Sequence, residues 1–233
     1  MALPYFYIDN LEVNDLTLDE DTSKHVVQVL RKKAGDEILL TDGKGLKARA
    51  AITDDNRKRC AVRLSHKVRE AAVQPRICIA ISLVKNAARF EWFLEKATEI
   101  GVAEIIPLLC DRTEKEKFRH DRLNNILISA MLQSQQCWLP VLREPTAFSV
   151  AVDAPVYKHR FIAHCLPESK ASLAHLSKDI DESSIIFIGP EGDFTEMEIQ
   201  AALQKGALPV SLGYTRLRTE TAGMVAAALL CSR

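Results

Sequence analysis

Hydrophobic positions change their spacing along the chain near residue 72. Before this point, short alternating stretches of apolar residues predict β-strands at 37–41, 46–53 and 60–64. Between the first two, Asp42-Gly43-Lys44-Gly45 indicates a hairpin turn. Only residues 21–30 have helical spacing, with Asp21, Thr22 or Ser23 as the cap. Residues 1–72 are therefore predicted to form a small β-barrel domain.

From residue 73 onward, short apolar runs alternate with stretches of helical spacing. The runs that predict buried strands are 77–81, 105–108, 160–163, 184–188 and 209–212. The stretches that predict helices are 90–100, 120–132, 196–205 and 219–230. This alternation predicts an α/β domain over residues 73–233, with a mostly parallel sheet covered by helices on both faces.

Glycine is concentrated near the end of the chain, where five of the nine glycines lie between Gly189 and Gly223. The run 184–188 leads into a glycine loop, and the next helix begins with Thr195 and Glu198 at the spacing of a capping box. Such a loop places backbone donors at the carboxyl end of a parallel sheet, where α/β proteins bind ligands. Tight turns also use glycine for geometry alone, so both interpretations stay open.

A second segment, residues 211–222, carries Arg216, Arg218 and Glu220 within five positions. Thr219 is a candidate cap for the last helix, and Glu220 complements the dipole at its start. An arginine just before a helix start does not serve that dipole, so we favour a functional role for Arg218. For Glu220 the structural and functional interpretations have equal weight.

Charge and residue types narrow the function classes. The chain has 31 basic and 31 acidic residues, so net charge does not indicate a nucleic-acid ligand. Basic clusters at 31–33, 57–59 and Lys67 with Arg69 all fall in the first domain and favour a polyanion there, although the first cluster also suits a helix end. The six cysteines and six histidines lack metal-ligand spacing, which predicts reduced thiols and no metal site.

Other sequence features exclude several classes of protein. No apolar run reaches the length of a membrane span, and residues 1–10 do not resemble a signal peptide. We therefore expect a soluble, cytoplasmic protein with no membrane partner. The glycine loop matches neither a P-loop nor a dinucleotide fingerprint, so a nucleoside ligand bound with less use of phosphate remains open.

Four segments, taken together, resemble one known family. They are 25–31 with Gly35-Asp36, 93–102, 188–194 and 211–222. In this order, and nearly end to end, the chain resembles the RsmE family of small-subunit ribosomal RNA uridine-N3 methyltransferases. The resemblance implies a PUA-like RNA-binding barrel, a SPOUT methyltransferase domain with a trefoil knot, and a homodimer. It also implies S-adenosylmethionine as cofactor and a uridine of 16S rRNA, in free RNA or in the small ribosomal subunit, as substrate.

The resemblance and the glycine pattern together indicate the site residues. The cofactor is expected against Ile188, Gly189, Pro190, Glu191, Gly192, Leu212, Gly213, Leu217, Arg218 and Thr219. Arg218 is the candidate catalytic group that stabilises charge on the uracil ring, and Glu220 is expected to orient it or to accept a proton. Arg31, Lys32 and Lys33 are expected to contact RNA phosphates.

The chain also departs from the family pattern. Asp193 stands where a second glycine is usual, Thr215-Arg216 replaces an Arg-Ile pair, and Gln136 stands where arginine is common. These departures bear on RNA affinity and on the choice of target. Two alternative functions also stay open. One is a catalytically silent RNA-binding or ribosome-assembly factor, and the other is a ribose 2′-O methyltransferase of the same fold.

One face of the last helix has two interpretations. Gly223 and Ala227 lie one turn apart and leave that face without bulky side chains. Close packing against the chain's own sheet explains this pattern, and close approach of a second subunit explains it as well. The family resemblance favours the second subunit.

Overall fold

The computed structural model describes residues 3–114, 117–154 and 157–232. The chain divides into two compact units, one formed by residues 1–72 with 131–139 and the other by 73–130 with 140–233. The hydrophobic pattern of the sequence places segment 131–139 in the second domain instead. In the first unit, Gly45 N donates to Cys137 O at 2.9 Å and Leu139 N donates to Gly43 O at 2.8 Å, which fixes this segment beside the hairpin turn.

The first unit is built on a five-stranded sheet with one short helical segment. Its elements are β1 (Tyr5–Tyr7), β2 (Asp15–Thr17), α1 (Glu20–Lys24), a π-helical turn (His25–Val29), β3 (Glu37–Thr41), β4 (Leu46–Asp54) and β5 (Ala61–Arg69). The strands are ordered β1-β3-β4-β5-β2, with β1 parallel to β3 and the other pairs antiparallel. The alternating inner residues, Ile38 and Leu40 among them, form a single apolar cluster.

Two details of the first unit differ from the sequence prediction. The helix is capped by Asp19, whose Oδ1 accepts from Thr22 N at 2.8 Å, so the expected cap at 21–23 is wrong. The carboxylate at 19 reaches the N–H three residues later, as a capping side chain does. The strands β1 and β2 were also not predicted, because three residues are too few to show a period of two.

The second unit alternates strands and helices, as the sequence predicts. Its strands are β6 (Ile77–Ser82), β7 (Glu104–Leu109), β8 (Val141–Leu142), β9 (Thr146–Ala147), β10 (His159–Ala163), β11 (Ala171–Ser172), β12 (Ser184–Ile188) and β13 (Leu208–Ser211). Its helices are α2 (Ala87–Ile100), α3 (His120–Gln133), α4 (Phe148–Ala151), α5 (Leu173–Leu176), α6 (Glu196–Gln204) and α7 (Thr219–Cys231), with a 3₁₀ turn at Ser177–Asp179. The last three residues of α3, 131–133, belong to the first unit.

The sheet of the second unit is parallel throughout the described residues. Its order is β11-β13-β10-β12-β6-β7-β8, and β9 pairs with β7. Strand β6 is buried along its whole length. Cys78 and Ala80 pack with Phe148 of α4 on one face, whereas Ile81 approaches α7 on the other. The predicted α/β domain with helices on both faces is confirmed.

The small-residue face of α7 packs against the chain itself. A Cβ added at Gly223 would lie 2.6 Å from Ile81 Cδ1 and 2.7 Å from Phe93 Cε2. Both distances are too short for carbon atoms that are not bonded to each other. Only glycine at 223 therefore allows α7 to pack this closely against β6 and α2. The glycine at 223 is therefore explained by packing within the chain.

Replacing Gly223 with alanine is expected to lower the free energy of unfolding by about 1–3 kcal/mol, because the added methyl group overpacks this contact. The loss should occur although alanine is the better helix former. Urea unfolding of Gly223→Ala, Phe93→Leu and the double variant measures it. We expect Gly223→Ala to lower the free energy of unfolding less in the Phe93→Leu background than in the wild type. Strictly additive effects of the two substitutions would contradict the contact between residues 93 and 223.

Candidate functional site

A cavity of about 800 Å³ opens at the carboxyl ends of β10, β12 and β13. The loops that follow these three strands form most of its wall, and Arg89 of α2 and the start of α7 complete it. Its volume lies within the range of small-molecule and cofactor sites. The position agrees with the rule that open α/β sheets bind ligands beyond the carboxyl ends of their strands.

The glycine loop after β12 is held from two sides. Thr219 Oγ1 donates to Gly189 O at 3.0 Å, which links the loop to the start of α7. A Cβ at Gly189 would lie 3.0 Å from Phe194 Cδ2, so a side chain at 189 would displace the buried ring of Phe194. The predicted capping box of α6 is confirmed, because Thr195 accepts from Glu198 N and Glu198 accepts from Thr195 N.

The loop after β13 has a backbone conformation that glycine alone adopts readily. Gly213 has a φ of +149°, and a Cβ there would meet no atom within 4 Å. The Ser211 hydroxyl braces the turn, since it donates to Gly213 O at 2.9 Å and accepts from Gly213 N at 3.3 Å. The backbone of this loop therefore faces open space at the cavity.

Nine of the ten cofactor-binding residues proposed from the sequence line the cavity. They are Ile188, Gly189, Pro190, Glu191, Leu212, Gly213, Leu217, Arg218 and Thr219. Gly192 is not among the lining residues. A Cβ at Gly192 would instead contact Arg112 Cδ at 3.4 Å, and Arg112 Nη1 donates to Gly192 O at 2.7 Å.

The start of α7 differs from its predicted capping. The N-cap is Arg218, and Thr219 is the first helical residue, so the expected cap at Thr219 is wrong. The hydroxyl of Thr219 donates to Gly189 O instead of capping the helix. The side chain of Arg218 is exposed at the cavity and makes no hydrogen bond or ion pair with any residue the structure describes.

Glu220 is placed behind the cavity wall. It is only 6% exposed, it is not a lining residue, and its Oε2 is buried without a hydrogen-bond partner. Its Oε1 lies 3.6 Å from Arg89 Nε. The structure therefore brings Glu220 to Arg89 and not to Arg218.

A further wall of the cavity, formed by residues after β10, was not identified from the sequence. It includes His164, Cys165 and Lys170. Burial, and then the Lys170 cation, lower the pKa of His164 and so favour the neutral form of its imidazole. Lys170 Nζ donates to His164 O at 2.7 Å and holds this loop in place.

Asp193 connects this wall to the glycine loop. Its Oδ2 accepts from Cys165 N at 2.7 Å, and its Oδ1 accepts from Phe194 N at 2.8 Å. Asp193 has a φ of +65°, a left-handed conformation that aspartate tolerates better than most residues. A glycine at 193 could not make these two bonds, so the departure from the family pattern has a structural consequence here.

The sequence contains a signal for the wall after β10, but it contains none for Arg89. The apolar run 160–163 ends at His164, and the rule for parallel strands applies to that end as it does to residue 188. Arg89 carries no such signal, because it lies in the first turn of α2 and reaches the cavity only through the packing of that helix.

The basic cluster at 31–33 follows the helical segment of the first unit. Arg31 has a φ of +55°, and Lys33 N donates to Asp36 Oδ2 at 2.9 Å. The side chains of Arg31, Lys32 and Lys33 form no ion pair with another described residue, and Arg31 and Lys33 are exposed. These charges are available to an external ligand.

The described residues contain no helix long and apolar enough to cross a membrane. Within residues 3–114, 117–154 and 157–232, no group of three or more histidine, cysteine, aspartate or glutamate side chains could hold a metal ion. No disulfide links any of the six cysteines, all of which lie within the described residues, and Cys60, Cys78, Cys110 and Cys137 are buried. Cys165 is exposed at the cavity.

Comparison with known proteins matches both parts of the chain to RNA methyltransferases. Residues 71–231 match the RNA methyltransferase domain, and residues 18–65 match the RNA methyltransferase PUA domain. Ribosomal RNA small subunit methyltransferase E of Synechocystis sp. is 31% identical over 219 residues, which cover 91% of this chain and 71% of that protein.

Solved structures give the same result for the fold. A probable rRNA-methyltransferase from Porphyromonas gingivalis has a TM-score of 0.91 and 38% identity, over 99% of this chain and 100% of the other. A ribosomal RNA small subunit methyltransferase E from Neisseria gonorrhoeae, bound to S-adenosyl methionine, has a TM-score of 0.84 and 29% identity, over 97% of this chain and 96% of the other.

Proposed function

This chain belongs to the family of ribosomal RNA small subunit methyltransferase E proteins, and from that premise we propose that it methylates N3 of one uridine in 16S rRNA with S-adenosylmethionine. The cavity at the ends of β10, β12 and β13 is the observation that carries the proposal. The proposed substrate is a uridine of 16S rRNA, either in free RNA or in the small ribosomal subunit. The proposed fold of the second unit includes the trefoil knot of SPOUT methyltransferases.

The residues present at the cavity fit the cofactor. Backbone at Gly189 and Gly213 lies at the wall, and the neighbouring Ile188, Leu212 and Leu217 supply apolar contact. A nucleoside held by backbone groups and apolar side chains needs such a surface more than it needs charged ligands. Gly192 is outside this surface, and we omit it from the proposed contacts.

Catalysis depends chiefly on alignment. When bound, S-adenosylmethionine supplies an electrophilic methyl group on sulfur. N3 of uridine becomes a nucleophile only when it loses its proton to solvent, and this loss leaves a negative charge on the uracil ring until the methyl group is transferred. The exposed guanidinium of Arg218, which lines the cavity, would stabilise that charge, and the cavity wall would hold the ring in line with the methyl group. Glu220 acts as a positioning residue from behind the wall.

Mass analysis of modified nucleosides tests the proposal. Small ribosomal subunits from cells that lack this protein are incubated with it and with S-adenosylmethionine. We expect 3-methyluridine to form. Methylation on ribose would favour the 2′-O alternative. No product, together with no thermal shift by S-adenosylmethionine, would favour the silent RNA-binding factor, since a ligand at 100 times its Kd stabilises a protein by about 2.7 kcal/mol.

The first unit is the proposed RNA-binding module, through Arg31, Lys32 and Lys33. The double variant Arg31→Ala, Lys32→Ala is expected to bind 16S rRNA more weakly and to reduce the salt slope by roughly one unit per lost phosphate contact. Its affinity for S-adenosylmethionine should not change. Binding is measured by titration at several salt concentrations.

The matched control is Arg57→Ala, Lys58→Ala, which removes the same charge from the exposed cluster at 57–59. A smaller change in the control is expected. An unchanged salt slope in the first variant would return Arg31 and Lys32 to a structural role at the end of the helix.

A homodimer in the cytoplasm completes the proposal. Gly223 gives no support for the dimer, because it packs against Ile81 and Phe93 of the same chain. The support is the family membership alone. Light scattering at micromolar concentration is expected to give twice the chain mass of 26.0 kDa, and a single species at the chain mass would contradict the dimer.

A further inference from the structure

Arg89 stands between two carboxylates at the cavity wall. Its Nε lies 3.6 Å from Glu220 Oε1, and its Nη1 lies 3.6 Å from Glu191 Oε1. Arg89 and Glu191 line the cavity, while Glu220 is buried behind it. The guanidinium is therefore fixed by charge from two directions at the edge of the site.

The two ion pairs leave the donors of Arg89 available. A separation of 3.6 Å is longer than a hydrogen bond, so neither carboxylate consumes an N–H group of the guanidinium. The Arg89 side chain donates no hydrogen bond to any residue within the described ranges. Its side chain is 36% exposed, so a molecule in the cavity can reach it.

The position of Arg89 in its helix also requires an explanation. Arg89 lies in the first turn of α2, where the helix dipole disfavours a cation. Glu220 has 6% exposure and a buried Oε2 without a partner, so Arg89 is the cation that compensates its charge. Arg89 is therefore held in the first turn of α2 by the carboxylate of Glu220, and the dipole of α2 does not explain why an arginine stands there.

The chemistry of the proposed reaction calls for a second donor. Charge that develops at N3 of uracil spreads to O2 and O4, which lie on opposite sides of the reacting nitrogen. One guanidinium cannot serve both oxygens and leave N3 open to the methyl group. Arg218 comes from the start of α7 and Arg89 from α2, so two separate parts of the wall each provide one.

We infer that Arg89 is a second catalytic arginine, which donates to one uracil carbonyl oxygen while Arg218 serves the other, and that Glu220 and Glu191 are the residues that position it. This inference rests on the proposed function. Glu220 then orients Arg89, and not Arg218 as expected from the sequence.

Three variants test the inference. Arg89→Gln removes the cation, and Arg89→Lys keeps the charge near Glu220 but loses the planar fork of donors. Arg122→Gln is the matched control, because Arg122 forms an exposed pair with Glu91 of α2 at 2.9 and 3.0 Å outside the cavity. Affinity for S-adenosylmethionine is measured by calorimetry. Single-turnover rates on small ribosomal subunits are measured at neutral and alkaline pH, with both substrates saturating.

At neutral pH, Arg89→Gln is expected to slow methyl transfer about a hundredfold, as loss of a transition-state donor does. The deficit should shrink at alkaline pH, because N3 then loses its proton without help. Arg89→Lys should be intermediate, and Arg122→Gln should match the wild type. Affinity for S-adenosylmethionine should be unchanged in all three.

Several outcomes would overturn the inference. A deficit that is the same at every pH, or one that follows a loss of cofactor affinity, would make Arg89 a structural or cofactor-binding residue. If Arg89→Gln does not fold, the rate of methyl transfer by Arg89→Lys tests the inference. A wild-type rate in Arg89→Lys would show that only the positive charge beside Glu220 is needed, and would contradict the catalytic role of the guanidinium. Absence of 3-methyluridine with the wild-type protein would instead refute the proposed function itself.

Discussion

Replacing Arg218 with alanine is expected to lower kcat about a hundredfold, which is the usual cost of removing one donor that stabilises transition-state charge. Stability should change little, because the side chain is exposed and makes no ion pair or hydrogen bond within the part of the chain that the structure describes. Affinity for S-adenosylmethionine should be nearly unchanged, since the proposed cofactor contacts at 217–219 are largely backbone and apolar. Steady-state kinetics on small ribosomal subunits and calorimetry measure these quantities.

Arg216→Ala is the matched comparison for Arg218→Ala. Arg216 is also an exposed arginine at the cavity, two residues earlier in the same loop. If these arginines only attract RNA, both variants raise KM alike and leave kcat unchanged. A selective loss of kcat in Arg218→Ala supports its catalytic role, and equal behaviour of the two variants would remove it.

Replacing Gly213 with valine is expected to weaken S-adenosylmethionine binding by at least about tenfold while the protein stays folded. A φ of +149° is strained for any residue with a Cβ, at a cost of about 1–3 kcal/mol. The loop at 211–214 relieves that strain only by moving, and this movement changes the wall that contacts the ligand. Calorimetry measures the affinity, and thermal unfolding measures the stability.

Gly206→Val separates strain from binding. Gly206 also has a positive φ, +81°, and open space around its missing Cβ, but it follows α6 and does not line the cavity. The Gly206→Val variant should be destabilised to the same extent as Gly213→Val, but its affinity for S-adenosylmethionine should equal that of the wild type. Equal affinities in the two valine variants would be evidence against the proposed cofactor contacts of Gly213.

Gly192→Val gives an independent check on the boundary of the site. Gly192 is expected against the cofactor from the sequence, but a Cβ at this position would face Arg112, and Gly192 does not line the cavity. We now expect this variant to bind S-adenosylmethionine as the wild type does. A strong loss of affinity would restore Gly192 to the site.

The additional wall after β10 changes how the site is described. Two loops were expected from the sequence, and the structure adds a third that contains His164, Cys165 and Lys170. Asp193 holds this loop through Cys165 N. Asp193, which departs from the family pattern, therefore connects two walls of the cavity.

Features that depend on neighbours along the chain were readable from the sequence. The run 184–188 is a buried strand, and the capping box of Thr195 and Glu198 forms. Each of these depends on hydrogen bonds or burial periods within a few residues. The glycine segments at 189 and 213 pointed to the cavity for the same reason, because only certain backbone conformations allow a close ligand.

Features that join distant segments were decided by the tertiary structure alone. Arg89, Glu191 and Glu220 lie far apart in the chain and meet only because α7 packs against α2, β6 and β12. Gly223 is required by Phe93 and Ile81, and the neighbour of Gly192 is Arg112. Periodicity specifies which face of an element is buried, but contacts between elements depend on sheet order and packing distance, which no local pattern encodes.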